Sequence, residues 1–270
     1  MFVLFPRPLR CVRRLMLPAV LALFSLNWAL ASPPPRPRPA ALHLQVRRVA
    51  PNVFVHTSYH RYAGKTEPVA SNGLIVSTSK GALLIDTAWD PEQTLELLRW
   101  VADSLHQRVR LVVVSGAQEA RLGGLAVLQA NHIKVYSTPL TAKRAGRLPF
   151  GAPTPAIKPY TLIRAGRTKL ELFFPGPGHS PDNLVAWLPK QRVLFGGDLV
   201  QDATAQLLSS TAETNLKQWP ATLRKLQARY PQAEVLVPGR GQWGSPDLLA
   251  HTLHLLRNAP RKPQTALNGR

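Results

Sequence analysis

Cysteine is nearly absent from this 270-residue sequence, in which only Cys11 occurs. Cys11 precedes a 17-residue apolar stretch, LMLPAVLALFSLNWALA, that follows four arginines and ends in Ala-Leu-Ala. This order is typical of a secretory signal peptide, so we expect residues 1–31 to be cleaved on export to the periplasm or the medium. An uncleaved membrane anchor is the alternative, although Pro18 and Asn27 interrupt a stretch already short for one. Cleavage would leave neither a disulfide nor a thiolate metal ligand.

Acidic residues are scarce as well, since 14 Asp and Glu stand against 34 Lys and Arg and give a formal charge of +20. Loss of the four arginines at positions 7, 10, 13 and 14 would leave +16. Such an excess attracts anions, so an anionic small molecule or surface is a partner to consider, although a basic proteome or a solvated basic face without a dedicated partner is the favoured interpretation. The sequence contains no nucleic-acid-binding motif and no run of alternating aromatic and basic residues, so no specific nucleic-acid partner is indicated.

One domain is expected between two polar, proline-containing segments. SPPPRPRPA, residues 32–40, is typical of an extended tether, and residues 259–270 are expected to form a flexible tail. No second linker, no repeat of fixed period and no further membrane-spanning stretch interrupts residues 41–258. The pattern does not indicate an oligomeric state.

The order of secondary-structure patterns indicates an α/β fold. Strands are predicted at LHLQVRRVA, VFVHTSY, NGLIVSTS, GALLIDTA, RLVVVS, IKVYST, KLELFFP, NLVAWLP, RVLFGGD and EVLVP. Helices are predicted at PEQTLELLRWVADSLHQ, GGLAVLQANH, TAKRAG, NLKQWPATLRKLQARY and SPDLLAHTLHLL. Two β-rich halves that each carry helices predict two mixed sheets packed face to face with helices outside.

Six blocks of sequence resemble the metallo-β-lactamase family in order and spacing. They are SNGLIV, LLIDTAWD, GGLAVL, PGPGHSPDNLVAWLP, VLFGGDLV and VLVPGRGQWG, and the resemblance extends over residues 45–258. It is strongest to the secreted subclass whose second zinc is bound partly by cysteine. The resemblance implies an αββα sandwich with a metal site in a cleft along one edge, in agreement with the predicted elements.

The resemblance also implies six zinc ligands, most of which this sequence lacks. The three histidines of the first zinc correspond to Gly116, Gln118 and His179. The aspartate, cysteine and histidine of the second zinc correspond to Ala120, Asp198 and Arg240. Catalytic zinc normally has three protein ligands and a water, and a guanidinium repels a dication. We therefore expect a degenerate site without bound zinc, in which only His179 and Asp198 remain as residual ligands.

The substrate-binding positions implied by the resemblance are altered too. The lysine that meets the antibiotic's carboxylate corresponds to Gln201, and a substrate-binding loop asparagine corresponds to Ser210. His60 lies in a segment that resembles the hairpin covering substrate in the family, and a relocated zinc ligand there is an alternative that we consider. No arrangement of serine with a base and an orienting group is evident, so no catalytic residue is assigned.

Other residues of the cleft have expected structural roles. Asp86 resembles the family's buried aspartate near the metal, and we interpret it as a carboxylate that binds loop backbone. Arg240 is expected either to form a bidentate pair with Asp198, replacing part of the metal's charge, or to point into solvent. Trp89 and Trp243 are interpreted as core residues, and Gly123 and Gly124 as residues that allow close helix packing.

These observations predict an exported protein of metallo-β-lactamase fold that lacks hydrolytic activity, either a pseudoenzyme or a protein that binds an anionic ligand at Arg240. The alternative is a zinc-dependent hydrolase with an atypical, weak or single-metal site at His179 and Asp198.

Overall fold

The computed structural model of the protein describes residues 44–209 and 211–259. The predicted signal peptide and tether, Ser210 and the tail from residue 260 onward lie outside the described residues. Within the two described ranges, no helix is both long and apolar enough to cross a membrane.

The first sheet has six strands and mixed direction. The strands are β1 (Gln45–Ala50), β2 (Val53–His60), β3 (Val69–Val76), β4 (Ala82–Ile85), β5 (Val109–Val113) and β6 (Lys134–Tyr136), and they lie in this order. β1 to β4 pair antiparallel, whereas β4–β5 and β5–β6 pair parallel. The two parallel connections contain helices, as a parallel crossover requires.

The second sheet has five strands in the order β11-β10-β9-β8-β7. They are β7 (Tyr160–Ala165), β8 (Thr168–Phe173), β9 (Val185–Leu188), β10 (Val193–Gly197) and β11 (Val235–Pro238), and only β10–β11 is parallel. β7 is an edge strand that the sequence pattern did not predict. Its residues are mostly half-exposed, so it lacks the apolar alternation of a buried strand.

The helices are α1 (Pro91–Leu105), α2 (Glu119–Leu122), α3 (Leu125–Ala130), α4 (Pro139–Ala145), α5 (Trp219–Arg229) and α6 (Asp247–Asn258). α1 begins after Asp90, whose carboxylate accepts a hydrogen bond from Gln93 N at 2.8 Å and caps the helix. α5 begins four residues later than its predicted start at Asn215, with Pro220 in the first turn, where the missing N–H costs no helical hydrogen bond.

Three apolar clusters hold the layers together. The central cluster, between the sheets, includes Val55, Leu74, Leu172 and Phe195. A second cluster joins the six-stranded sheet to α1 and α3, and a third joins the five-stranded sheet to α5 and α6. Each fully buried aliphatic or aromatic side chain contributes about 1.5–3 kcal/mol relative to exposure. Two mixed sheets packed face to face, each with helices on its outer side, confirm the predicted αββα sandwich.

The fold brings four strand ends to one edge of the sandwich. Asp86 follows β4 and Ser115 follows β5, while Asp198 follows β10 and Arg240 follows β11. Since both pairs of strands are parallel, the carboxyl ends of each pair lie side by side. The predicted ligand positions converge at this edge.

Candidate functional site

A buried arginine, Arg121 of α2, lies at the centre of this edge. Its Nη2 donates a hydrogen bond to Asp198 Oδ1 at 2.8 Å, and its Nη1 lies 3.2 Å from Asp86 Oδ2. The Arg121 side chain is 1% exposed. One guanidinium thus pairs with carboxylates from both sheets.

Backbone carbonyl groups complete the surroundings of Arg121. Nη1 also donates to Asn72 O in β3, and Nη2 to Gly239 O at 3.3 Å, after β11. Nε has no hydrogen-bond partner among the described residues. Because these contacts come from β3 and from the loops after β4, β10 and β11, Arg121 links the two sheets at the site.

The charges of this cluster shift the pKa values of both carboxyl groups. Burial alone would raise the pKa of Asp198, but the nearby charges, with that of Arg121 foremost, outweigh burial and hold the pKa well below its usual value. Burial raises the pKa of Asp86 to about 6, against the charge of Arg121 and two hydrogen bonds from Ser115. Both carboxylates are therefore ionised at pH 7 and share the charge of Arg121.

Asp86 has the structural role that its sequence context predicted. Ser115 N donates to Asp86 Oδ1 and Ser115 Oγ to Oδ2, both at 2.7 Å. Asp86 is fully buried and its backbone is left-handed, with φ of 64°. This carboxylate fixes the loop after β5. The Ser115 hydroxyl donates its hydrogen bond to Asp86 and so helps to hold this loop.

Three positions correspond to ligands of the first zinc, and the side chains of two of them, Gln118 and His179, contact each other. Gln118 Nε2 lies 3.2 Å from His179 Nδ1, and since an amide nitrogen can only donate, Nδ1 accepts. Burial lowers the pKa of His179, against the charge of Asp198, so the imidazole is neutral at pH 7. Thr214 Oγ1 donates to His179 O at 2.9 Å and holds the loop. The amide of Gln118 therefore occupies the lone pair of His179 Nδ1.

Two further positions that correspond to zinc ligands, 116 and 120, have no side-chain atom that could bind a metal. Gly116 lacks a side chain and Ala120 carries only a methyl group, which is buried. The loop that carries Gly116 is nevertheless held in place. Ala117 N donates to Asp182 Oδ2 at 2.8 Å, and Arg144 Nε of α4 lies 3.3 Å from Asp182 Oδ1.

Arg240 adopts neither of the two arrangements expected for it. Its Nε lies 3.9 Å from Asp198 Oδ1, an ion pair beyond hydrogen-bonding distance, and its side chain is 36% exposed. Its guanidinium carbon lies 5.3 Å from the ring centroid of Trp89, a cation–π contact. The expected bidentate pair is thus wrong, because Arg121 already donates to Asp198. Trp89 is buried as predicted, and Trp243 is partly buried against the central core.

The predicted substrate positions are only partly described. Gln201 is buried, and its Oε1 accepts a hydrogen bond from Ser209 N at 3.1 Å. Ser210 is outside the described residues. A cavity of about 20 Å³, room for one water, is lined by Asp198, Val200, Gln201, Asp202, Ser209 and Arg240.

The residues present do not fit a zinc ion. Across residues 44–209 and 211–259, no group of three or more His, Cys, Asp or Glu side chains is placed to bind a metal. His60, which was considered as a relocated ligand, belongs to no such group among these residues, and its ring stacks on that of Trp89 with centroids 5.4 Å apart. His179 and Asp198 remain, and one atom of each already has a partner, since Asp198 Oδ1 accepts from Arg121 and His179 Nδ1 contacts Gln118.

Sequence reasoning missed Arg121 at the centre of the site. The available signal was a charged residue inside the otherwise apolar segment ARLGGL, followed by two glycines that pack closely. Such a residue needs acidic partners when it is buried. The sequence had already indicated Asp86 and Asp198 as residues of the cleft, and these two were the available acidic partners.

Comparison with known proteins relates this geometry to one family. The family model described as "Metallo-beta-lactamase superfamily" matches residues 66–240. A relative from Bacillus sp. (strain 170) named "Metallo-beta-lactamase type 2" is 38% identical over 214 residues, which cover 79% of this chain and 82% of the relative.

Solved structures show the same similarity. A metallo-β-lactamase from Pontibacter korlensis is 44% identical, with a TM-score of 0.76 over 80% of this chain and 100% of that chain. The metallo-β-lactamase FIM-1 from Pseudomonas aeruginosa, solved in a mono-zinc form, is 29% identical, with a TM-score of 0.76 over 82% of this chain and 97% of that chain.

Proposed function

The chain belongs to the metallo-β-lactamase superfamily, and from this premise we propose that it is an exported, non-hydrolytic member whose cleft does not bind zinc. In the cleft, the guanidinium of Arg121 contacts Asp198 and the amide of Gln118 contacts His179. These two contacted residues are the ones that remain to bind a metal of the family. The chain's own residues here bind and orient one another, and no catalytic residue is assigned.

One observation carries this proposal. The two residual ligands already have partners within the protein, since Asp198 Oδ1 accepts from Arg121 and His179 Nδ1 contacts the amide of Gln118. A zinc ion would meet the cation of Arg121 beside Asp198 and would still have two protein ligands, one fewer than a catalytic zinc normally has. The permanent charge of Arg240, 3.9 Å from Asp198, adds repulsion.

Binding of a small anion at the cleft is a second candidate function. Arg240 favours it, because its side chain is 36% exposed and has no carboxylate within hydrogen-bonding distance. Asp198 and Asp202 line the same cavity, so only a small anion held directly by the guanidinium suits this position.

The alternative is a zinc-dependent hydrolase with a weak or single-metal site. The names of the relatives favour it, and the FIM-1 structure in a mono-zinc form shows that one related protein binds a single zinc. In this chain the remaining pair would be His179 and Asp198, and the Arg121 contact opposes it.

Zinc analysis and a turnover assay distinguish these functions. The purified protein is dialysed against zinc and then against buffer, its metal content is measured, and hydrolysis of a chromogenic cephalosporin is followed with and without chelator. We expect well under one zinc per chain, no turnover and a melting temperature that chelator does not change. Near-stoichiometric zinc with chelator-sensitive turnover would establish the hydrolase instead. A rise in melting temperature with phosphate or a small carboxylate would identify anion binding.

Export is a separate part of the proposal and rests on residues 1–31. The basic front and apolar stretch there support a cleaved signal. Amino-terminal sequencing of the protein from the cell envelope or medium should start at Ser32, and recovery of an intact Met1 from the cytoplasm would contradict export.

A further inference from the structure

A second charged region lies on the outer side of the five-stranded sheet. In the β7–β8 hairpin, Tyr160 pairs with Phe173 and Arg164 with Lys169. Because side chains alternate along a strand, these four residues project from one face of the sheet. α5 packs on this face, where the ring of Tyr230 contacts that of Phe173 at 6.4 Å between centroids.

Two cations of α5 are held over the aromatic rings of this face. The guanidinium carbon of Arg229 lies 4.5 Å from the centroid of Phe173 and 5.0 Å from that of Tyr160. Arg229 Nε also donates to the hydroxyl of Tyr230 at 3.2 Å, and Lys225 Nζ lies 5.2 Å from the centroid of Phe173. These contacts restrain both side chains and reduce the entropy that binding an anion would cost.

Cations outnumber acidic residues in this region, where Glu171 lies close enough to Arg229 to act on its charge. Arg164, Lys169, Lys225 and Arg229 are all exposed, and none forms a salt bridge with another described residue. The strand register places one acid, Glu171, on the same face. We call the surface formed by Tyr160, Arg164, Lys169, Phe173, Lys225 and Arg229 the basic–aromatic face.

We infer that the basic–aromatic face docks the protein onto membranes that contain anionic phospholipid. The phosphate groups of the lipid headgroups would bind the four cations, and each Lys or Arg near such a surface contributes on the order of 1 kcal/mol. This docking does not depend on whether the cleft binds zinc.

Ring accessibility favours phospholipid over nucleic acid. Binding of single-stranded nucleic acid relies on exposed rings on which bases stack. Here Tyr230 is buried, Phe173 is half-buried, and Arg229 and Lys225 lie over the Phe173 ring. Tyr160 is 47% exposed at the border of the face, and tyrosine is a residue enriched at the headgroup level of membranes.

Vesicle binding by two charge-matched variants tests this inference. Partition of the purified full chain onto phosphatidylcholine vesicles is compared with partition onto an equal mixture of phosphatidylcholine and phosphatidylglycerol. The test variant is Arg164→Gln/Lys169→Gln/Lys225→Gln/Arg229→Gln. The control variant, Arg47→Gln/Lys80→Gln/Arg99→Gln/Lys134→Gln, removes the same charge from exposed positions on the six-stranded half. Circular dichroism melts check that both variants fold.

The expected result is a preference of the wild type for the anionic vesicles that salt weakens. The test variant should lose at least about tenfold in partition, and the control variant less than about twofold. Equal losses in the two variants, or equal binding of the wild type to neutral and anionic vesicles, would overturn the inference. Equal binding would also reveal insertion by the apolar residues 15–31. Retention on heparin without binding to anionic vesicles would assign the face to acidic polymers instead.

Discussion

Arg121 Nη2 donates a hydrogen bond to Asp198 Oδ1 at 2.8 Å, and the two side chains are 1% and 9% exposed. The same guanidinium lies 3.2 Å from Asp86, and Arg240 lies 3.9 Å from Asp198. Two carboxylates and two guanidinium groups therefore balance at this edge of the sandwich. The guanidinium of Arg121 provides the positive charge that holds the ends of β4 and β10 together.

Arg121→Met should destabilise the protein strongly. The change removes the cation and leaves Asp86 and Asp198 buried without it, and breaking a buried ion pair by removing one partner costs about 3–5 kcal/mol. Urea unfolding at pH 7 measures the change. Arg240→Met is the matched control, since it removes the half-exposed arginine of the same cluster and should change stability by at most about 1 kcal/mol. Similar losses in the two variants would show that Arg121 does not link the strand ends.

Gly116→His/Gln118→His should raise the affinity of the cleft for zinc above that of the wild type. The double change provides two imidazoles beside His179 and removes the amide that contacts His179 Nδ1. A Cβ at Gly116 would lie 3.2 Å from Oε1 of Gln118, a close contact with the flexible end of a side chain that this variant replaces. Since changes beyond the direct ligands already alter zinc affinity about 10- to 100-fold, we expect zinc affinity at least about 100-fold above the wild type.

Competition with a chromophoric zinc chelator measures this affinity. Arg240→His alone is the control and should not bind zinc tightly, because Gln118 and Arg121 remain in place. If the double variant binds no better than the wild type, the cleft has lost the ligand geometry as well as the ligands.

The sequence shows directly that positions 116, 118, 120 and 240 carry no histidine, aspartate or cysteine, but it does not show which residues contact one another there. The residues at 116, 118, 120 and 240 are read directly from the motifs that surround them. Which arginine approaches Asp198 depends on tertiary packing, since Arg121 is separated from Asp198 by 77 positions in the chain. Arg240 occupies a position that corresponds to a zinc ligand, but its guanidinium lies over the ring of Trp89 and does not form a hydrogen bond with Asp198.

Gly123→Ala should be much less well tolerated than Gly146→Ala. A methyl group on Gly123 would overlap the carbonyl oxygen of Trp89, which is backbone and cannot rotate away. At Gly146 the nearest atom would be 3.6 Å away, and φ is −62°, which alanine adopts readily. We expect a loss of about 1–3 kcal/mol or more at Gly123, and a change of at most about 1 kcal/mol at Gly146.

Thermal melts of the two alanine variants provide the measurement. Comparable melting temperatures would show that the loop before α1 moves to make room at Gly123. The sequence predicted close packing at this glycine pair, and the structure identifies the partners as Trp89 and, for Gly124, Thr94 of α1.

The two mixed sheets and the layer arrangement could be predicted from the sequence because buried strands carry a strong apolar signal. β4, for example, is the run ALLI, and all four of its residues are buried. β7 gave no such signal, and with it the basic–aromatic face was missed. Tyr160, Phe173 and Arg229 are distant in sequence, and only the hairpin and α5 bring them together.

The stability of the protein should depend on pH through His56, an imidazole buried in β2. Burial lowers the pKa of His56 to about 4, against 6.5 for an exposed histidine. Its ring nitrogens lie near the carbonyl groups of Ile85 and Asp86 without forming regular hydrogen bonds. The unfolded chain thus binds a proton that the folded protein excludes between these two pKa values. Stability from neutral His56 is present above about pH 6.5 and is lost as the pH falls toward 4.

His56→Phe isolates this contribution, because phenylalanine keeps a ring of similar size and does not titrate. Asp86, whose pKa is raised to about 6, acts in the opposite direction, so only the difference between wild type and variant is informative. Between pH 7 and pH 5 the wild type should lose about 2 kcal/mol of unfolding free energy relative to His56→Phe. Urea unfolding at both pH values measures this difference. Parallel pH profiles would mean that His56 takes up its proton in the folded protein as readily as in the unfolded chain, and that the sheet opens to water around it.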